Sequence, residues 1–226
     1  MNIVLVVAAH PDDEVLGCGG TIANHVANGD QVHAVIMSSG VRSRDTGDDV
    51  QKKIASLKEE AYEAHEILGT TSLKLLDFPD NRFDSLSILD VAKAIEIELS
   101  IYKPDIVYTH HLGDLNIDHQ ITHKAVLTAC RPFPEQSVKT IISFEVPSST
   151  EWQSSVDTNV FVPNCFKSIS TTIEKKLQSL AAYSSEMREW PHARSIIAVE
   201  HLASWRGASA GLDVAEAFIV IRDIHS

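Results

Sequence analysis

The sequence predicts an α/β protein with a mostly parallel sheet, helices on both faces and a loop-rich C-terminal part capping the site. Three observations carry that reading. Short apolar runs alternate with amphipathic stretches through the first two thirds of the chain, the order that builds parallel sheets. The first run, Ile3–Ala9, is continuous and rich in β-branched residues, as in a strand buried on both faces. The chain has 226 residues, 44% hydrophobic and 22% charged, enough for one domain spanning 1–226.

Each element has its own signal. Glu14–Asn28 reads as a helix ended by Gly29, and Gln31–Met37 as the second strand. Lys52–Leu68 is a helix with Ile54, Leu57, Ala61, Ala64 and Leu68 on one side and Gly69 beyond its end. Ser72–Phe78 is the third strand. Ile88–Tyr102 is a helix closed by Pro104, and Asp105–His110 the fourth strand. Ile117–Cys130 is a helix stopped by Pro132, and Lys139–Glu145 the fifth strand. Beyond Pro147 a helix near Thr171–Ser184 and a strand near Ala217–Arg222 are expected, with loops elsewhere.

Composition excludes several classes. Nineteen Lys+Arg against 31 Asp+Glu give −12, so no broad attraction to nucleic acid or an anionic membrane surface is expected. No apolar run reaches the roughly 20 residues of a membrane span, so no membrane insertion is expected. Cys18, Cys130 and Cys165 are odd in number and contain no CxxC pair, which fits a cytoplasmic location. A homo-oligomer is left open.

Two polar clusters fall at strand carboxyl ends, where open α/β sheets bind ligands. His10-Pro11-Asp12-Asp13-Glu14 follows the first strand, and His110-His111 through Asp118-His119 follows the fourth. Imidazole with carboxylate is the ligand mix of catalytic Zn²⁺. Of two adjacent aspartates, one can bind metal while the other takes a proton from water. A lone HPDD also suits a turn in which Asp caps the next helix. The second cluster, on an adjacent strand in the commonest doubly wound order, favours a site. Gly17-Cys18-Gly19-Gly20 does not open the strand–helix turn, and Ile22 breaks the dinucleotide fingerprint. Those glycines serve close packing of the first helix or approach of substrate.

The stretch Ala9-His10-Pro11-Asp12-Asp13-Glu14 with Gly17-Cys18-Gly19-Gly20 resembles the N-terminal signature of the LmbE-like (PIG-L) deacetylases. Glu60-Ala61 through Leu68-Gly69, Asp118-His119 with His123, and Ala215-Glu216-Ala217-Phe218 agree in order. The resemblance implies a Rossmann-like domain without dinucleotide and a Zn²⁺-dependent hydrolase. It further implies removal of an acetyl group from an N-acetylated amino sugar or nucleotide-sugar, a small-molecule partner. His10, Asp13 and His119 would bind zinc, and Asp12 would be the general base. Where the family often carries His, this chain has Asn116, which can donate a hydrogen bond to an oxyanion but cannot act as an acid.

Asp118 is expected to orient a neighbouring group behind the metal. His123, one turn beyond His119, is expected in that same outer layer rather than as a ligand. Of His110 and His111, one faces the site and the other the opposite side. Arg42 has two readings, a grip on a substrate phosphate or carboxylate, or a solvated loop cation. His111, His192 and Arg206 are candidates for lining the substrate pocket. Two rivals stand: another amide hydrolase on the same site, and an inactive sugar- or nucleotide-binding module. Retention of His10, Asp12, Asp13 and His119 argues against the second.

Overall fold

The computed structural model describes residues 1–40, 50–154, 156 and 159–225. Seven strands form one sheet in the order β3-β2-β1-β4-β5-β7-β6. β1 (Ile3–Ala8), β2 (Gln31–Ser38), β3 (Ser72–Phe78), β4 (Ile106–His110) and β5 (Thr140–Phe144) run parallel. β7 (Ala215–Asp223) lies antiparallel to β5, and β6 (Cys165–Ser168) antiparallel to β7 at the edge.

Alternation along β1 explains its continuous apolar run. Val4 and Val6 point into one core with Leu57, Leu68 and Leu180, from α2 (Val50–Leu68) and α5 (Ile173–Ala182). Leu5 and Val7 point into a second core with Val91, Ile95 and Val126, from α3 (Ile88–Tyr102) and α4 (Ile117–Ala129). Both faces are buried, so no polar residue interrupts the strand. Val4 pairs with Val32 on one side and Ile106 on the other, so β1 and β4 are neighbours at the switch in strand order.

The glycines of α1 (Asp13–Ala27) serve packing. A Cβ at Gly17 would run into the Phe144 ring, and one at Gly20 would lie 2.7 Å from Ile169. Cys18 leaves helical geometry at φ −147°, so the helix restarts near Gly19. The Glu216 carboxylate on β7 accepts from Gly20 N at 3.0 Å and Thr21 N at 2.7 Å there. It also pairs with buried Lys176 at 2.6 Å.

Two elements stand where loops were expected: β6 and α6 (Ile196–Ala208). β6 has only four residues and follows Pro163, so its pattern is too short to register. α6 carries Ile197 and Trp205 on its solvent side, which blurs the apolar stripe that marks a helix. Ser195 caps it, accepting from Ala198 N at 3.1 Å. No helix among the described residues is long and apolar enough to cross a membrane.

Candidate metal centre and active site

The turn after β1 aims three side chains. Pro11 closes it, and Asp12 adopts φ 101°, a left-handed conformation that costs a non-glycine residue about 1–3 kcal/mol. Asp12 stands at the N-cap of α1, yet its side chain makes no capping bond. The carboxylate is therefore free for other work. Asp13 starts the helix and folds back, its Oδ2 accepting from His10 N at 2.9 Å.

The loop after β4 supplies the other half. Asn116 caps α4: its Oδ1 accepts from Asp118 N at 2.8 Å, and its Nδ2 donates to Asn81 Oδ1 at 3.1 Å. The first turn of α4 then presents His119. His10 Nδ1, His119 Nε2 and Asp13 Oδ2 form a triangle with sides of 3.1, 3.1 and 3.3 Å. Metal–ligand bonds of about 2.0–2.1 Å in tetrahedral array place donors about 3.3 Å apart, so the trio fits a small divalent cation.

Outer contacts fix each ring. His10 Nε2 lies 3.1 Å from Asp118 Oδ2 and 3.4 Å from Asp80 Oδ1. Asp118 is itself held by Asn81 N at 2.6 Å and Phe83 N at 2.9 Å. His119 Nδ1 lies 3.1 Å from Asp114 Oδ2. Asp114 accepts from Asn116 N at 2.8 Å, Thr150 Oγ1 at 2.6 Å and Ser149 Oγ. Carboxylates behind ligating imidazoles set their tautomer and orientation.

The electrostatics follow from burial and these partners. Burial would lower the pKa of His10, but Asp118, Asp13 and Asp80 outweigh it and raise the value to about 10. For His119 burial is outweighed by Asp13 and Asp114, giving about 9. Asp114 moves the other way despite burial, to about 2, through His119, Ser149 and Thr150. His110, buried against His119 with ring centroids 3.9 Å apart, is pushed well below its ordinary value by burial and that neighbour's charge. Its Nε2 accepts from Ala9 N at 2.8 Å, so this ring braces the turn.

Asp12 faces a different partner. Its Oδ2 accepts from Arg194 Nη1 at 2.7 Å, while Oδ1 is buried without a hydrogen-bond partner among the described residues. Burial, with the charges of Asp13, Glu186 and Glu14, pushes Asp12 well above the usual carboxylate range against the pull of Arg194. The direction of this shift is the one that brings a carboxylate closer to the range of a general base. His10, Asp12, Asn81, Asn116, Glu186 and Arg194 line one small cavity.

His10, Asp12, Asp13, Asn116, Asp118 and His119 thus come together. Other residues singled out from the sequence lie elsewhere or at the margin. Arg206 is paired with Glu145 at 2.6–2.7 Å. His111 Nε2 lies 2.7 Å from Asn159 O, its ring edge-on to Phe161. His123 Nδ1 donates to His110 O at 2.8 Å and steadies the end of β4. His192 Nδ1 accepts from Arg194 N at 3.0 Å, beside the cavity wall. Arg42 lies outside the described residues.

Sequence reasoning missed Asp80, Asp114, Glu186 and Arg194 as site residues. Asp80 had a signal, since Phe78-Pro79-Asp80 ends a parallel strand as His10 does. Asp114 stood inside the second cluster without an assigned role. Arg194 had no local signal, because its partner Asp12 is 182 positions away.

A doubly wound sheet with two imidazoles and a carboxylate in a metal-competent trio, and a second carboxylate held by Arg194 at its switch point, has the layout that a metal-assisted α/β hydrolase requires. The chain belongs to the PIG-L (LmbE-like) deacetylase family: residues 5–130 match the family described as GlcNAc-PI de-N-acetylase. The uncharacterized deacetylase YaiS of Escherichia coli (strain K12) is 33% identical over 171 residues, 74% of this chain and 81% of that protein. A probable N-acetyl-α-D-glucosaminyl L-malate deacetylase 2 of Bacillus cereus is 27% identical, covering 84% of this chain and 88% of that protein. The crystal structure of GalB, the 4-carboxy-2-hydroxymuconate hydratase of Pseudomonas putida KT2440, shares the fold. It superposes with a TM-score of 0.79 at 24% identity, covering 100% of this chain and 98% of that one.

Proposed function

We propose that the protein is a zinc-dependent N-deacetylase acting on an N-acetylated amino sugar or its conjugate. The observation that carries this is the donor triangle of His10, Asp13 and His119, with the unligated Asp12 carboxylate beside it. Membership of a deacetylase family and the N-acetyl-glucosaminyl substrate in a relative's name support the sugar class.

Those three residues would hold the metal, with Asp118 and Asp114 orienting the two rings. A zinc ion there supplies Lewis-acid polarisation and a lowered pKa for water. The protein supplies the proton handling. Asp12 takes a proton from the attacking water through its free Oδ1. The second amide N–H of Asn116, which has no partner among the described residues, donates to the oxyanion of the tetrahedral intermediate. Asp12 then returns the proton to the departing amine, and acetate leaves. The substrate is a small molecule, and three unpaired cysteines support a cytoplasmic setting.

The test is acetate release over a panel of N-acetyl sugars, nucleotide sugars and non-sugar N-acyl amines, with and without Zn²⁺. Zinc-restored release from a sugar substrate is the expected result. Release from non-sugar amides alone moves the protein to a general amidase. Release from none by the metal-loaded protein overturns the deacetylase reading.

A further inference from the structure

We propose that Arg194 is the positioning residue for Asp12, pinning one carboxylate oxygen so that the other stays free for proton abstraction. The inference rests on the reading of Asp12 as base, and it concerns a part of the chain beyond the matched residues 5–130. The torsion that turns an Asp carboxylate is broad and weakly restrained on its own. In Asp12 the backbone is fixed by the left-handed turn, but no capping bond restrains the side chain. Arg194 Nη1 at 2.7 Å is the one hydrogen-bond partner of that carboxylate among the described residues.

Arg194 can hold it because Arg194 is itself held. Its Nε donates to Ser148 Oγ at 2.6 Å, and Nη1 also lies 3.3 Å from Glu186 Oε2. A planar guanidinium anchored at two of its nitrogens has one orientation, which a lysine ammonium cannot reproduce. Its backbone is set from both sides. Arg194 N donates to His192 Nδ1, and the next residue, Ser195, is the N-cap of α6. The start of α6 therefore aims the guanidinium, and the loop after β5 braces it through Ser148. The remaining freedom of the Asp12 carboxylate is removed by a residue 182 positions downstream.

A merely structural Arg194 would neutralise two buried carboxylates without affecting the orientation of either. Arg194→Met separates the two roles. Misplacing a reacting group by about 1 Å costs on the order of 10²-fold in rate, so kcat should fall by about that factor. KM and bound metal should stay near the parent values, because His10, Asp13 and His119 are untouched. Added guanidinium ion should restore part of kcat, and Arg194→Lys should restore less than the parent arginine. A crystal structure of Arg194→Met should show the Asp12 carboxylate rotated. If Arg194→Met does not fold, Ser148→Ala keeps the charge and loosens only the brace. It should then lower kcat and rotate Asp12 in the same sense. An unrotated Asp12 in the variant overturns the proposal whatever the substrate proves to be. So does a kcat loss that tracks metal loss and ignores guanidinium. Failure of the parent to release acetate from any substrate strikes the deacetylase reading alone, since carboxylate orientation is read without turnover.

Discussion

At the scale of single residues, the outer carboxylates and the helix cap make separable claims. Asp114 pairs with His119 through Nδ1, the ring nitrogen that is not one of the three donor atoms. Asp114→Asn should weaken metal affinity by about 10–100-fold, the usual cost of losing such a partner. A competitive chelator titration measures this, and unchanged affinity would detach Asp114 from the metal. His119→Ala, by contrast, should abolish stoichiometric binding while leaving circular dichroism intact. Asn116 has an observed capping role and a proposed oxyanion role, which Asn116→Ser divides, because Ser still caps a helix but cannot reach the cavity. Asn116→Ala should cost about 1 kcal/mol of stability through the lost cap. Asn116→Ser should keep most of that stability and, if the amide serves the oxyanion, lose about 10²–10³ in kcat. A Ser variant with parental kcat removes Asn116 from the chemistry.

Among elements, α1 is the most constrained. Its restart at Cys18 leaves N–H groups that Glu216 satisfies from another strand. Glu216→Ala would leave the buried Lys176 charge without its carboxylate, held only by the Leu16 carbonyl at 2.8 Å, which costs about 3–5 kcal/mol. Urea unfolding should show that loss as a lower midpoint with an unchanged slope. Gly17→Ala should cost about 1–3 kcal/mol by forcing the Phe144 ring aside. Much of this architecture was legible in advance. The apolar run at Ile3–Ala9, the caps and the stops are local signals, and strand alternation turns them into a sheet order. That order put the His10 and His119 clusters side by side. What stayed hidden was whatever depends on distant pairing. Arg194 and Glu216 meet their partners across 182 and 196 positions, and a pattern read along the chain has no term for such contacts. α6 was hidden for another reason, the exposed Ile197 and Trp205 that obscure its buried side.

Over the whole molecule, protons would compete with the proposed metal for the same atoms. In the metal-free protein His10 and His119 hold their protons up to about 10 and about 9, above the ordinary 6.5. Groups with raised folded-state values stabilise fully below pH 6.5 and lose that contribution as pH rises through 9 to 10. The chelated protein should therefore melt at progressively lower temperature over that window. Metal needs the neutral rings, so its stabilising increment should grow over the same range. Thermal scans at fixed free zinc, with and without chelator, check both trends. A metal increment independent of pH would show that these rings are not the ligands.

The strand order also has a consequence for the chain as it is being made. β5 is synthesised with its neighbour on one side, β4, already available, but the strand on its other side is β7. β6 emerges earlier than β7 yet pairs only with it. A growing polypeptide thus carries a bare sheet edge at Thr140–Phe144 until residues 215–223 have left the ribosome. Bare edges invite pairing with other chains. The last residue of the donor triangle, His119, is made well before that edge is covered and before Arg194. On the roles proposed above, the three metal donors are therefore made well before the residue that pins Asp12, and a nascent chain stalled short of Ala215 would still expose the β5 edge.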